Sequence, residues 1–212
     1  MHGLQLESVT AERERLFAEF ETKHCVLISN LIHPELLAVI QRCLSTAPFE
    51  SFSHGGLGQE LITKDRVLLS ALHFVFNMPS LLEAIREITQ VPAIAGFGGR
   101  LYRMLPSPEH WDEWHDDRSP GRLVGMSVNL TREPYCGGVF MLRRADTHEI
   151  LREVVNSGFG DANVFRISDA LEHHVTAVTG TVPRTAFAGW FYGGAPSMHL
   201  KFKQELESTR GT

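Results

Sequence analysis

A chain of 212 residues that is 43% hydrophobic and 21% charged has the composition of one globular domain with a substantial core, which excludes a disordered or fibrous protein. The formal net charge of −5 argues against a broad phosphate-backbone partner, so no nucleic acid is expected. The three cysteines Cys25, Cys43 and Cys136 are odd in number without zinc or redox spacing, Met1 to Glu21 is charged without an apolar signal-like core, and no run is long enough to cross a bilayer; these features predict a reduced, cytoplasmic protein with no membrane segment.

From Thr10 to Phe20 the pattern Ala11, Leu16, Phe17, Phe20 predicts an amphipathic packing helix with Thr10 as its N-cap. Cys25 to Ser29 suits a short buried strand, and His33-Pro34-Glu35 opens a second helix whose stripe is Leu36, Leu37, Ile40 and Leu44. His33 reads as an end-of-helix polar group. Ser51 to Gln59 has neither helical nor strand periodicity and carries three glycines, so it reads as a loop, either a plain connection or a mobile flap over a pocket. Asp65 to Phe76 and Pro79 to Thr89 return to helical spacing, with His73 among apolar neighbours as a core histidine.

After Ala93 the period changes. Ala93–Ala95, Leu101–Leu105, Val124–Leu130, Val139–Leu142, Ala162–Ile167, His174–Val178 and Thr185–Phe191 all read as short strands between Gly, Pro and polar turns, which predicts a sandwich or barrel. Gly96-Phe97-Gly98-Gly99 is followed by strand rather than helix, so it fails as a dinucleotide loop and reads as a turn or bulge.

The chemistry centres on Trp114-His115-Asp116-Asp117. On a strand, residues i and i+2 share a face, so His115 and Asp117 would offer an imidazole and a carboxylate side by side, with Asp116 turned away. Leu171-Glu172-His173-His174-Val175 can supply a second imidazole, from one of its two histidines. Two His and one carboxylate with the opposite face open make the facial triad of non-haem Fe(II) oxygenases. His110 and Asp112 form a competing H-x-D pair, but their surroundings read as loop whereas His115 leads toward the strand near Leu123, so we favour His115 and Asp117.

Tyr102, Trp114-His115-x-Asp117, Asn129-Leu130, Gly137-Gly138-x-Phe140, His173-x-Val175-x-x-Val178, Arg184 and Gly189-Trp190-Phe191 together resemble the 2-oxoglutarate and Fe(II)-dependent dioxygenases, in particular their prolyl-4-hydroxylase-like branch. The resemblance runs from Tyr102 to Phe191. It implies an α+β, mainly β fold: a double-stranded β-helix, or cupin-like jelly roll, with N-terminal helices packed on one sheet. It implies one domain over residues 1–212, helical to about 92 with the core from about 93 to 200. It selects His173 over His174 and makes His115, Asp117 and His173 the metal-binding, catalytic set, with Arg184 as the basic residue for 2-oxoglutarate. A buried guanidinium suits the distal carboxylate of that co-substrate, and Tyr102 is either a donor to the same carboxylate or simply core. The implied cofactor is Fe(II), with 2-oxoglutarate and O₂ as co-substrates and ascorbate as a stimulant. The implied activity is hydroxylation of an unactivated C–H bond of an amino acid, peptide or small metabolite, with 2-oxoglutarate decarboxylated to succinate.

Asn129 reads as a group satisfying backbone at a strand end, Gly137-Gly138 as a sharp turn, Cys136 as a small buried filler and Trp190 as core. A non-catalytic metal-binding jelly roll is the alternative; Arg184 weighs against it, since a structural metal needs no co-substrate clamp. A zinc hydrolase lacks its helical His-Glu-x-x-His here, and halogenation is disfavoured because Asp117 fills the place chloride would take. The prime substrate and the oligomeric state have no signature in the chain.

Overall fold

The computed structural model describes residues 4–53, 58–155 and 158–193. In chain order the elements are α1 (Leu6–Ala11), α2 (Arg13–Lys23), β1 (Cys25–Ile28), α3 (Pro34–Leu44), β2 (Glu50–Ser53), β3 (Gly58–Ile62), α4 (Arg66–Phe76) and α5 (Pro79–Thr89). They continue with β4 (Ile94–Met104), β5 (Trp111–Asp112), β6 (Arg122–Asn129), β7 (Cys136–Gly137), β8 (Phe140–Arg144) and β9 (Ile150–Val154). Last come β10 (Ala162–Arg166), β11 (Leu171–Val175), β12 (Val178–Thr179) and β13 (Arg184–Gly193).

The larger sheet runs β1-β10-β6-β13-β4-β3-β2, with β5 added against β3; the smaller sheet is β11-β8-β9, and β12 pairs β7. The pairings are antiparallel throughout. This is the expected jelly roll with helices against one sheet.

Strand alternation divides the interior in two. Phe97 and Leu101 of β4, with Phe187 and Phe191 of β13, join Phe76, Leu81, Ile85 and Ile88 of the helices in one core. The alternate residues Tyr102, Met104 and Ala186 face the other way and pack with Phe140, Leu142, Phe165 and Leu171 between the sheets. The catalytic candidates lie on this second face.

Several local readings change. Thr10 does not cap a helix: its Oγ1 donates to the carbonyl of Leu6 at 3.0 Å, and the chain breaks at Glu12, from which α2 starts. Asp65, by contrast, caps α4 by accepting from Val67 and Leu68 N, and His33 caps α3 by accepting from Glu35 N. The Ser51–Gln59 stretch is not all loop, since Ser53 pairs with Gln59 in a β2–β3 hairpin; residues 54–57, where a flap would have its tip, lie outside the described residues. Gly96–Gly99 is not a turn but part of β4, with a register irregularity against β13 beside Gly96, where Tyr192 opposes Gly96 and Gly193 opposes Ile94. There the β4 and β13 backbones come so close that a Cβ on Gly99 would lie 2.6 Å from the Ala188 carbonyl oxygen. Cys136 is exposed on β7, not a buried filler. Among the described residues, no single helix is long and apolar enough to cross a membrane.

Candidate active site

His115 is not on a regular strand. It forms an isolated antiparallel bridge with His173: His115 N donates to the His173 carbonyl at 3.0 Å and His173 N to the His115 carbonyl at 2.9 Å. The two imidazoles are thereby set side by side, with ring centroids 4.3 Å apart and planes inclined by 57°. Asp117 joins them by a different route from the expected i, i+2 parity. Its φ is +58°, a left-handed conformation that Asp tolerates better than most side chains, and the resulting turn swings the carboxylate back over His115. The three ligand-capable atoms lie within 4.8 Å of one another, with Asp117 Oδ1 3.5 Å from His115 Nε2 and Oδ2 3.3 Å from His173 Nε2.

The donor set fits a divalent cation. The Glu113 carbonyl oxygen lies 2.6 Å from His115 Nδ1 and can only accept, so Nδ1 carries the proton and Nε2 presents its lone pair to the site. Burial alone would raise the Asp117 carboxyl, but the His173 and His115 rings and the Trp190 N–H outweigh it and hold the group ionised, well below the usual carboxylate range. Trp190 Nε1 donates to Asp117 Oδ2 at 2.7 Å, Arg122 donates to the Asp117 carbonyl at 3.0 Å, and the Arg122 guanidinium lies 3.4 Å from the centroid of the Trp190 ring. Trp190 is therefore not plain core: it is tied to the carboxylate.

The competing residues have other partners, although Asp112 lines the same pocket with its Oδ1 3.7 Å from His115 Nδ1. Buried His110 accepts the Leu105 N–H through Nδ1 at 3.1 Å. Asp112 accepts from Val175 N at 2.8 Å, tying the segment before His115 to β11. Asp116 turns outward to Arg118, and His174 points away from His173 to stack on Trp114 at 4.0 Å. Asn129 satisfies backbone, accepting from Thr131 N and donating to the Gly158 carbonyl. His73 Nε2 sits 2.9 Å from the Gly99 carbonyl and its ring meets Phe187 edge-on, a histidine joining α4 to β4.

Behind the wall of the same pocket, against Tyr102 and Ser127, lies Arg184, 4% exposed. It donates to the Tyr102 hydroxyl and, at 3.2 Å, to Ser127 Oγ. Tyr102 and Ser127 line a cavity of about 280 Å³ together with His115, Asp117, His173 and Trp190. Burial disfavours the Arg184 cation, but Tyr102 and Tyr135 favour it more, and its pKa rises. Among the described residues no carboxylate pairs with this guanidinium, and its buried Nε finds no hydrogen-bond partner. A buried cation left without a counter-charge is costly, so the arrangement fits an anion arriving from outside the chain. Gly138, at φ +60°, makes room for it: a Cβ there would lie 2.8 Å from Arg184 Cδ.

Three further pocket residues went unnoticed in the sequence: Glu60 on β3, Arg100 on β4 and Arg122 at the start of β6. Arg100 was within reach of strand parity, since it lies two residues before Tyr102. Glu60 was hidden because β3 follows a glycine-rich stretch with no alternation.

A jelly roll holding an open two-His, one-carboxylate cluster and an uncompensated buried arginine defines the class of non-haem iron oxygenases that use a 2-oxo acid. Residues 100–192 match the family model of the 2OG-Fe(II) oxygenase superfamily, whereas no curated protein matches the chain. Among solved structures the chain is similar to a prolyl hydroxylase from Trichoplax adhaerens, in complex with a hypoxia inducible factor oxygen degradation domain peptide fragment. The TM-score is 0.67 at 16% identity over 89% of this chain and 92% of that one. It is also similar to a Pseudomonas putida prolyl-4-hydroxylase, with TM-score 0.61 and 16% identity over 86% of this chain and 100% of that one. The non-heme alpha ketoglutarate dependent epimerase SnoN from nogalamycin biosynthesis shares the fold too, with TM-score 0.61 and 15% identity over 87% and 84% of the two chains. Residues 100–192 thus match the 2OG-Fe(II) oxygenase superfamily, and the fold of the chain is that of the prolyl hydroxylases. Fe(II), 2-oxoglutarate and O₂ are the cofactor and co-substrates of that superfamily.

Proposed function

We propose that the protein is a 2-oxoglutarate-dependent hydroxylase acting on an unactivated C–H bond of a small molecule or peptidyl side chain. His115, Asp117 and His173 hold Fe(II), while Arg184 and Tyr102 take the distal carboxylate of 2-oxoglutarate. The observation that carries this reading is one cavity lined by the three-ligand cluster and by Tyr102 and Ser127, the two hydroxyls that hold the uncompensated Arg184 behind its wall. The free thiols Cys25, Cys43 and Cys136 accord with a reducing, cytoplasmic setting.

When bound, the iron supplies O₂ activation coupled to decarboxylation of 2-oxoglutarate to succinate. The chain supplies position. Glu113 takes the hydrogen bond from His115 Nδ1, so in the neutral ring Nε2 is the lone-pair donor. Trp190 and Arg122 fix the Asp117 carboxylate and the left-handed turn that carries it. Arg184 holds the co-substrate by a charge-assisted contact that Tyr102 and Ser127 orient, and Phe140 and Phe165 against His173 keep water from that wall. The epimerase among the fold relatives marks the other outcome that such a site supports. Product analysis separates the two: a hydroxylase adds one oxygen atom to the prime substrate for each succinate formed. An epimerised product of unchanged mass would overturn hydroxylation.

A further inference from the structure

The Tyr102 end of the pocket, backed by Arg184, and the Asp117 and Trp190 end are separated along two neighbouring strands, and one charged side chain stands between them. In the β4–β13 register Tyr102 opposes Ala186, Arg100 opposes Ala188 and Gly98 opposes Trp190. Arg100 therefore sits between the clamp and the metal end on the cavity face, and the residue opposite it is a small alanine that leaves the space above open.

Arg100 is braced rather than loose. Its Nε donates to Glu60 Oε1 at 2.7 Å, and Glu60 lines the same cavity from β3. The exposures of the two side chains differ: 8% for Glu60 against 36% for Arg100, so the carboxylate is covered while the guanidinium faces the pocket. The Tyr102 and Trp190 rings flank it, with centroids 5.6 and 5.9 Å from Cζ. Burial works against the Arg100 cation, but Glu60 more than offsets it, with help from Tyr102 and Asp117. A planar cation oriented by one buried carboxylate and two rings is built to meet a second planar anion from the cavity.

That anion is not 2-oxoglutarate on the reading above, because both of its carboxylates are already engaged, one at the iron and one at Arg184. The cavity of about 280 Å³ must hold 2-oxoglutarate and the reacting part of the prime substrate together. We propose that Arg100, positioned by Glu60, binds a carboxylate of the prime substrate, so that the substrate is a carboxylic acid such as a free amino acid. This rests on the function proposed above.

The test uses the full chain loaded with Mn(II) and 2-oxoglutarate for binding, and with Fe(II) in air for turnover. The probes are free amino acids and short-chain carboxylic acids, the carboxamide of each, and a proline-containing peptide blocked at both ends. We expect at least one free acid to bind and to stimulate succinate formation, with its carboxamide at least about tenfold weaker. Arg100→Met should weaken binding of that acid at least about tenfold and shift 2-oxoglutarate binding less than about threefold, with Arg100→Lys intermediate. Glu60→Gln, through its positioning role, should raise the half-saturating acid concentration with little change in the maximal rate. Circular dichroism and thermal melting establish that each variant is folded, and Arg100→Lys carries the test should Arg100→Met fail to fold. A loss of 2-oxoglutarate binding in Arg100→Met as large as in Arg184→Met would overturn the proposal, as would carboxamides or the blocked peptide serving as well as the acids. It also falls if no acid stimulates a wild-type protein that binds 2-oxoglutarate. A wild type that does not bind 2-oxoglutarate at all would instead strike the underlying oxygenase reading.

Discussion

The indole N–H of Trp190 donates to Oδ2 of Asp117 at 2.7 Å, so the strand that carries Arg184 at one end secures the Asp117 carboxylate with its other end. Outer partners of metal ligands are worth about 10- to 100-fold in metal affinity. Trp190→Phe keeps the ring under Arg122 and removes only the donor; we expect Mn(II) or Fe(II) to bind about tenfold more weakly, measured anaerobically by titration. Unchanged metal affinity would reduce the contact to packing.

Replacing His115, Asp117 or His173 with Ala should remove the metal, whereas His174→Ala should keep it, because that ring stacks on Trp114 outside the cluster. His110→Ala should also keep the metal but lower stability by about 1 kcal/mol, since the half-buried Leu105 N–H loses its acceptor. Metal content by elemental analysis and urea midpoints separate the two effects. Metal lost from His110→Ala and retained in His115→Ala would reverse the ligand assignment.

The pairing of Arg184 with an incoming carboxylate predicts a selective defect. Losing one partner of a buried charge pair costs about 2–5 kcal/mol, so Arg184→Met should weaken 2-oxoglutarate at least about 30-fold while metal binding stays near normal. A surface arginine would be worth ~0–1 kcal/mol; a change under about fivefold would contradict the clamp.

How much of this was legible beforehand differs residue by residue. The Arg184 to Phe191 alternation could be read because a half-buried strand keeps period two, and the two cores of the molecule follow from it. Asp117 was found with the wrong local geometry: the period-two argument assumed a strand, and the ligand reaches the site through a left-handed turn that no hydrophobic pattern reports. Gly96–Gly99 misled because glycine signals both turns and close backbone approach, and only the partner strand distinguishes them. Glu60 and Trp190 were invisible as site residues because their roles depend on which strands become neighbours, a property of the sheet order and not of any window of sequence.

Stability should fall in mild acid. Burial lowers the pKa of His73 below its ordinary 6.5 despite opposing backbone hydrogen bonds, and burial also lowers His24 and His174. As pH drops, the unfolded chain takes up these protons before the folded one does. The stabilisation is therefore complete above 6.5 and is lost progressively below it, down to the depressed folded values. Urea midpoints measured from about pH 8 to 5 should decline below 6.5. The decline should be shallower in His73→Gln, and an identical slope in that variant would remove His73 from the explanation.

Whether the cluster and the clamp form one co-substrate site is tested most directly by titrating 2-oxoglutarate into the protein under anaerobic conditions, with and without Fe(II). A shared site requires the metal to strengthen 2-oxoglutarate binding by at least about tenfold, with the gain lost in Asp117→Ala. Binding of equal strength with and without Fe(II), or none in either case, would contradict it.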